Sequence, residues 1–203
     1  MAPISAGLVL GRCDDLAEPG KYRASRAPAH PFARSRWCSV TVVRDAPSPA
    51  DIAVVSEQLG RPARDIVAIS ARCVCGNPVV VMTKPRLEDG TPFPTVYYLT
   101  QLAATQAASR LEAEGKMAQY QQRLAEEPDA QAMYSSAHES FLQTRESLGV
   151  VDEIAGISAG GMPTRVKCLH SLMAHSLSVG RGVNPVGDWA LEDTTWSTEK
   201  CWC

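Results

Sequence analysis

The segment TRVKCLHSLMAHSLSVG, residues 164–180, carries one cysteine and two histidines, residue types that bind metal ions or act in nucleophilic catalysis. We predict that this segment forms a helix whose first turn contains Pro163. In such a helix Cys168 and His170 point to nearly opposite sides, because two positions rotate the chain by about 200°. Cys168 and His175 share a face but lie about 10 Å apart along the axis. This helix alone therefore predicts neither a metal clip nor a catalytic pair.

Two C-x-C pairs supply further thiols. Cys73 and Cys75 lie at a turn-prone hairpin sequence, RCVCGN, and Cys201 and Cys203 lie in the final residues. Together the two pairs predict a tetrahedral zinc site with four thiolate ligands. A mixed site of Cys73, Cys75, Cys168 and a histidine, an iron–sulfur cluster and no metal at all remain open. The total of seven cysteines is odd and no export signal precedes them, so we expect reduced thiols rather than disulfides.

Cys168 could also act as a nucleophile. It would need a lowered thiol pKa, to which a helix N-terminus contributes, and a base within about 3 Å. That base would come from one of three histidines: His138, His170 and His175. The chain could then be a cysteine- or histidine-dependent enzyme that acts on a phosphorylated or acyl substrate. The alternative is a cysteine that only packs in an amphipathic helix, and the sequence leaves open whether the chain is an enzyme.

The loop SAGGMPTRVK predicts an anion site. Gly160 and Gly161 free the backbone, and the N–H groups of a following helix would point outward, where Arg165 and Lys167 add positive charge. Arg86 would join this pocket if its strand end meets the loop. The seat would suit phosphate or carboxylate, although the spacing is not that of a Walker loop. An ordinary loop between helices with solvated charges is the alternative.

The elements that must position these residues predict an α+β fold. SPADIAVVSEQLG has helical periodicity, whereas DIVAISARC, NPVVVMTKP and TVYYLT are β-rich runs joined by short links, typical of a small, mostly antiparallel three-stranded sheet. Alternation along a strand sends Tyr97 and Tyr98 to opposite faces. Helical patterns dominate after residue 100 and predict a helical layer on the sheet. We expect one α+β domain over residues 47–195 and a cysteine-containing tail over 196–203.

Residues 1–46 differ from the rest in composition. They hold seven Lys or Arg against four Asp or Glu, are rich in Pro, Ala and Ser, and predict a mobile basic leader, with a short strand at CSVTVV left open. A basic arm for an acidic partner is the alternative. The formal net charge of −2 argues against nucleic acid as a partner, and no apolar run is long enough to span a membrane. We expect a cytoplasmic protein with an unknown protein partner and a small anionic ligand.

Several segments together resemble an uncharacterised bacterial family, domain of unknown function number five hundred and one, found mainly in actinobacteria. They are EQLGRPARDIVAISARC, PRLEDGTPFPTVYYLT, SRLEAEG and SAGGMPTRVKCLHSLMAHSLSVGRGVNPVGD, and they span about residues 50–188. The family has no settled activity. Its members are often encoded near a septum-formation protein, which implies a link to cell division or envelope growth. Many members carry a cysteine directly after the YYLT strand, where this chain has Gln101, so a metal shared by the family is in question here.

These observations favour a binding or accessory protein that could carry a basic anion pocket and a cysteine-based structural metal site. Zinc is the cofactor predicted if a metal is bound, and no cofactor is the alternative. This interpretation depends on one spatial expectation. The glycine loop before the 164–179 helix should lie against the cysteine hairpin, so that the polar groups converge in a single site.

Overall fold

The structure is a computed structural model that describes residues 44–203 and shows an α+β fold. Three strands form one antiparallel sheet in the order β1-β2-β3, as the sequence predicts. The elements in chain order are α1 (Pro49–Leu59), β1 (Ile66–Arg72), β2 (Pro78–Thr83), β3 (Tyr97–Leu99), α2 (Leu102–Ala113), α3 (Lys116–Glu126), α4 (Pro128–Leu148), α5 (Leu169–Val179) and α6 (Pro185–Glu192). Two short 3₁₀ turns, Asp152–Ile154 and Ala159–Gly161, lie between α4 and α5.

Most of the predicted leader lies outside the described residues, and so does the CSVTVV segment. Residues 44–46 are the part of the leader that the structure describes. Here Asp45 pairs with Ile69 of β1 in an isolated antiparallel bridge, with hydrogen bonds of 2.9 and 3.2 Å. The backbone just before α1 therefore lies alongside the edge of the sheet.

Helix α1 begins and ends at the residues that its sequence indicates. Ser48 is the N-cap, and its side chain exchanges hydrogen bonds with Asp51 in a capping box. Gly60 ends the helix in the left-handed region, at φ 64°, which a glycine adopts without strain. The helix thereby covers one face of the sheet, where Val55 packs with Ile69 and Val81.

The central strand β2 is buried along its whole length, because helices cover both faces of the sheet. Val80 and Met82 belong to the main core beneath α2, α4 and α5, whereas Val81 faces α1. Tyr97 and Tyr98 separate as predicted. Tyr97 is fully buried in the main core, and Tyr98 lines a cavity of about 400 Å³ on the α1 side, together with Phe93 and other residues.

Helix α5 occupies the centre of the helical layer and contacts β3, α2 and α6. Its approach to α6 depends on Gly187, where an added Cβ would lie 2.2 Å from the carbonyl oxygen of Leu172. Two helices can pack this closely only with a glycine at the contact. Among the described helices, none has the length and apolar character that crossing a bilayer requires.

The prediction of a helix over 164–179 is wrong at its start, because α5 begins at Leu169. The preceding backbone makes hydrogen bonds outside a helix. The Arg165 and Lys167 N–H groups donate to Gly161 and Gly160, and the N–H of Val166 donates to the side chain of Gln121. Pro163 consequently lies in a loop and not in the first turn of the helix.

The helical spacing of Tyr134, Ala137, Phe141 and Leu148 predicts a single apolar stripe along α4, and the structure differs from this prediction in the last turn. Tyr134, Ala137 and Phe141 are buried, but Arg145 continues the buried stripe and Leu148 is exposed. The Arg145 guanidinium enters the interior because it donates hydrogen bonds to carbonyl oxygens of the following loop, those of Ile154 and Ile157. A long cation with satisfied donors therefore takes a position that hydrophobicity alone would not assign to it.

Candidate metal centres

The four cysteines of the hairpin and the tail lie together. The Sγ atoms of Cys73, Cys75, Cys201 and Cys203 are all within 4.8 Å of one another, and those of Cys75 and Cys203 are 3.5 Å apart. A tetrahedral ion with Zn–S bonds of about 2.3 Å has sulfur–sulfur separations of about 3.8 Å. The cluster therefore has the ligand type, number and spacing that could hold one metal ion.

The hairpin between β1 and β2 gives the first cysteine pair its shape. The Cys73 N–H donates to the Asn77 carbonyl oxygen at 2.9 Å, and the Gly76 N–H donates to the Cys73 carbonyl oxygen at 2.8 Å. Arg72 reinforces the turn with a hydrogen bond of 2.8 Å to the Gly76 carbonyl oxygen. Cys73 is 4% exposed whereas Cys75 is exposed, so the cluster lies at the surface with one ligand in the core.

The tail returns to this hairpin through contacts of its own. The Val74 N–H donates to the Thr198 carbonyl oxygen at 3.1 Å. Trp196 is buried, and its Nε1 donates to Oε1 of Gln101, at the N-terminus of α2, over 2.8 Å. Nε2 of the same amide lies 3.1 Å from Sγ of Cys203. Gln101, which takes the place of a cysteine expected from the family resemblance, is thus a neighbour of the cluster.

The pKa values of the cluster reflect the closeness of its sulfur atoms. Burial raises the pKa of Cys73, but N–H groups of Cys75 and Trp202 outweigh burial and lower the value to about 7. For Cys203, burial and the neighbouring thiols Cys75 and Cys73 raise the pKa above its usual value. This pattern is expected for closely spaced thiols, because the negative charge of the first thiolate disfavours ionisation of its neighbours. A bound cation would remove that opposition and favour all four thiolates.

Cys168 belongs to a different cluster, with His170 and Glu112. Because α5 begins at Leu169, Cys168 is the extended residue before the helix, at φ −150°, and the expected 200° separation from His170 is wrong. Its Sγ lies 3.9 Å from Nδ1 of His170, and that nitrogen lies 3.1 Å from Oε1 of Glu112. The ligand atoms of these three residues are within 4.8 Å of one another.

Charges within this second cluster support one another. The interaction with Cys168 raises the pKa of His170 to about 9 against the effect of burial, and the Glu112 carboxylate raises it further. Burial raises the pKa of Cys168, but hydrogen bonds from His170 and from Ser171 outweigh it, so the net shift is downward. Without a metal, a protonated imidazole is therefore favoured at neutral pH, beside a thiol that ionises more readily than an ordinary cysteine.

The two clusters lie at opposite ends of α2. Gln101, beside the four cysteines, is the N-cap of this helix, and Glu112 is in its last turn. A rise of 1.5 Å per residue separates the two backbone positions by about 16 Å. The candidate residues are therefore brought together in two places, and the single site expected where the glycine loop meets the cysteine hairpin is not what the structure shows.

The glycine loop uses its backbone groups internally. An added Cβ at Gly160 would lie 2.6 Å from Cδ2 of Leu172, so this glycine allows the loop to pack against α5. The N–H of Leu169, the first residue of α5, donates to Oε1 of Glu112 at 2.7 Å. The expectation of outward, free helix N–H groups is thus wrong, because a carboxylate of the chain already occupies this helix N-terminus.

The basic side chains named for an anion site have separate surroundings. Arg86 donates to Glu153 at 2.6 Å and to the Gly90 carbonyl oxygen at 2.8 Å, neither of which belongs to the 160–168 loop. The side chains of Arg165 and Lys167 are exposed at the loop surface. Anion binding there stays a prediction that would depend on these two side chains alone.

His175 lies in the main core and not in either cluster. It is fully buried, its ring stacks on Tyr97 and meets Phe141 edge-on, and Asn184 donates to its Nδ1 over 3.2 Å. Burial lowers the pKa of His175 to about 4. His175 is therefore a neutral, packed core residue, and it is not placed to exchange a proton with Cys168, which lies outside the core.

Three residues in or beside these clusters were not predicted from the sequence: Glu112, Ser109 and Trp196. Glu112 is 57 positions from Leu169, the residue to which it bonds, and no spacing rule links α2 to α5. Ser109, one turn before Glu112, contacts Nε2 of His170 at 3.1 Å. Trp196 anchors the tail. The only sequence signal for Ser109 and Glu112 is their i, i+3 spacing on α2, which places both side chains on one face of the helix. Such pairs are common on helix surfaces and do not by themselves indicate a site.

Comparison with known protein families identifies a family to which this chain is similar. The model of a family described as a protein of unknown function (DUF501) matches residues 69–192. No curated protein and no solved structure matches this chain. The matched range includes Cys73, Cys75 and all of the Glu112 cluster, whereas the tail cysteines lie beyond it.

Proposed function

Given that the chain belongs to the DUF501 family of proteins of unknown function, we propose that it is a binding or accessory protein whose tail is fixed to its sheet by zinc. Cys73, Cys75, Cys201 and Cys203 would be the ligands. The single observation that supports this proposal is the mutual separation of the four Sγ atoms, at most 4.8 Å. Four thiolates fill a tetrahedral ion completely, which is typical of structural rather than catalytic zinc.

Zinc suits this site better than the other metals that thiolates bind. Borderline-soft divalent zinc accepts four sulfur ligands in tetrahedral geometry and needs no redox partner. An iron–sulfur cluster also takes four cysteines, but the sulfur atoms must surround a larger inorganic core. Here Cys75 and Cys203 are only 3.5 Å apart, a separation that fits two ligands of one ion.

The metal would order the last residues of the chain. Three of the four cysteines are exposed, and the segment from Thr198 to Cys203 has no helix or strand. A zinc ion would join this segment to the hairpin and present Trp202 and Lys200, which lie together with the Lys200 ammonium 4.3 Å from the indole ring. An ordered surface of this kind is suited to a protein partner.

A cysteine-dependent enzyme is the alternative, and the geometry at Cys168 supports it less well. In a nucleophile–base–carboxylate arrangement the imidazole uses one nitrogen for the nucleophile and the other for the carboxylate. Here Cys168 and Glu112 both approach Nδ1 of His170. Action in the cytoplasm, an anionic ligand and a link to septum formation or envelope growth stay predictions within this proposal.

Metal analysis of the full chain, purified under reducing conditions without a metal-affinity tag, tests the proposal. We expect zinc in the wild type, and one ion fewer per chain in a Cys75→Ser, Cys203→Ser double variant. Lys200→Ala, a change in the same tail at a residue that offers no ligand, should keep the full zinc content. Wild-type zinc that the double variant retains would overturn the proposal. Iron with visible absorbance would instead support a cluster.

A further inference from the structure

We propose that Glu112, Cys168 and His170 form a second metal site, open on one side, that binds a divalent transition-metal ion such as zinc. The ion would keep one coordination position for water or for an oxygen atom of a ligand. This inference does not depend on the zinc ion proposed for the cysteine hairpin and tail. The two clusters share no residue.

The first argument is the donor set. A thiol, an imidazole nitrogen and a carboxylate oxygen lie within 4.8 Å of one another, with 3.9 Å between Sγ of Cys168 and Nδ1 of His170. Zinc takes all three ligand types, with bonds of about 2.0 to 2.3 Å. An ion placed between the three groups would take the place of the contact between Nδ1 of His170 and Oε1 of Glu112, which are now 3.1 Å apart.

The second argument is that each donor already has a supporting partner. Nε2 of His170, the nitrogen that would not bind the ion, contacts Oγ of Ser109 at 3.1 Å. The Leu169 N–H holds the Glu112 carboxylate at 2.7 Å, and Ser171 Oγ lies 3.8 Å from Sγ of Cys168. Metal-binding histidines almost always donate their second ring N–H in this way, which fixes the ring orientation.

The approach of Cys168 and Glu112 to the same imidazole nitrogen also favours a metal. Two groups that converge on Nδ1 leave that atom no way to take a proton from one while it donates to the other. Three ligands that converge on a single point are what one ion requires. The geometry that weakens the case for a catalytic pair thus strengthens the case for coordination.

Exposure and ligand number indicate an open site. The His170 and Glu112 side chains are 30% and 25% exposed, so an ion between them would remain accessible from solvent. Three protein ligands leave the fourth tetrahedral position to water, as in catalytic zinc sites, whereas four thiolates close theirs. The chemistry that fits is Lewis-acid activation of that water, or of a carbonyl or phosphoryl oxygen bound in its place.

Titration of the reduced, chelator-treated full chain with Co²⁺ tests the inference. We expect two ions per wild-type chain and one in each of three variants, Glu112→Gln, Cys168→Ser and His170→Gln. Glu112→Gln retains an acceptor for the Leu169 N–H, so it removes the charge with little change in shape. His138→Gln, the same substitution at a histidine outside both clusters, should leave two. Ser109→Ala should weaken binding at this site about 10- to 100-fold, because it removes only the support of the imidazole.

Azide as an added ligand tests whether the site is open. It should change the visible spectrum of Co²⁺ in the Cys75→Ser, Cys203→Ser variant, which retains only this site, and have no such effect after His170→Gln. A Co²⁺ count that none of the three variants lowers would overturn the inference, and an unresponsive spectrum would overturn its open character. A wild type that binds one ion, lost on His170→Gln, would support this site and contradict the four-cysteine site.

Discussion

Nε2 of Gln101 lies 3.1 Å from Sγ of Cys203, so an amide at the start of α2 donates toward a sulfur atom of the tail. The Oε1 of that amide accepts a hydrogen bond from the buried indole of Trp196. Gln101 is only 2% exposed and therefore has little access to water as a substitute partner. Its two bonds link the position of the last cysteine to the packing of the tail.

Gln101→Glu should weaken metal binding at the four cysteines by about tenfold or more. The new side chain keeps its shape and its acceptor for Trp196, but it loses the donor to Cys203 and adds a negative charge beside thiolates. Competition with a chromophoric zinc chelator measures the affinity. Gln122→Glu, the same change on the exposed face of α3, is the control and should leave the affinity unchanged. Equal affinities for both variants and the wild type would contradict a role for Gln101.

The buried His175 should make the protein sensitive to acid. Its pKa is about 4 in the folded chain and about 6.5 when unfolded, so the unfolded state binds a proton more readily between these values. Stability is therefore fully present above pH about 6.5 and is lost as the pH falls toward 4, by up to about 3 kcal/mol. Urea unfolding in the presence of a chelator, at several pH values, measures this slope.

His175→Gln should have a lower stability at pH 7 and a weaker dependence on pH over the same interval, because glutamine does not ionise. The lower stability follows from lost packing against Tyr97 and Phe141. An unchanged slope in this variant would show that other groups cause the acid sensitivity.

Asp51 should stabilise the chain at neutral pH through its ion pair with Arg72. The guanidinium, at 2.6 Å, holds the pKa of this carboxyl well below its usual range, and Ser48 adds hydrogen bonds. A depressed pKa gives stability above the unfolded value, about 4, and that stability is lost as the pH falls below it. Asp51→Asn should cost about 2 kcal/mol at pH 7 and progressively less in acid. Asp129→Asn, at an exposed site in the first turn of α4, should change the free energy of unfolding by less than about 0.5 kcal/mol.

Gly187→Ala should destabilise the helical layer by about 2 kcal/mol or more. The added methyl group would meet the Leu172 carbonyl oxygen at 2.2 Å and the Ser176 hydroxyl at 2.4 Å, so α6 would have to move away from α5. Thermal unfolding measures the effect. Ser136→Ala, on the exposed face of α4, is the control for a substitution by alanine within a helix. Equal Tm values for Gly187→Ala and Ser136→Ala would contradict the close contact between α5 and α6.

Local sequence patterns predicted most of the fold. The helical periodicity of SPADIAVVSEQLG and the three β-rich runs depend on residues within a few positions of one another. The two C-x-C pairs were also recognisable, because each forms within one turn or tail. Such features need no knowledge of how distant segments pack.

The second cluster could not be predicted in the same way. The sequence predicts a helix over 164–168, which would turn Cys168 away from His170, but tertiary hydrogen bonds keep this segment a loop. The Val166 N–H donates to Gln121, and the Tyr134 hydroxyl donates to the Arg165 carbonyl oxygen. Glu112 reaches α5 only through packing of α2 on it. Arg145 was missed for a related reason, since its burial depends on carbonyl groups of a loop with no sequence signature.

The hairpin and tail cysteines are far apart along the chain, with 128 positions between Cys75 and Cys203. An ion bound by both pairs would close residues 73–203 into a ring, with residues 44–72 outside it. A protease that cut once within that ring would leave two fragments that still migrate together, and a chelator would release them. Closing a ring of more than about 100 residues removes much of the freedom of the unfolded chain, in the range of 4 to 5 kcal/mol for a covalent link of about that length. Two cysteines of the tail, Cys201 and Cys203, would thereby contribute to the free energy of unfolding of the domain as a whole.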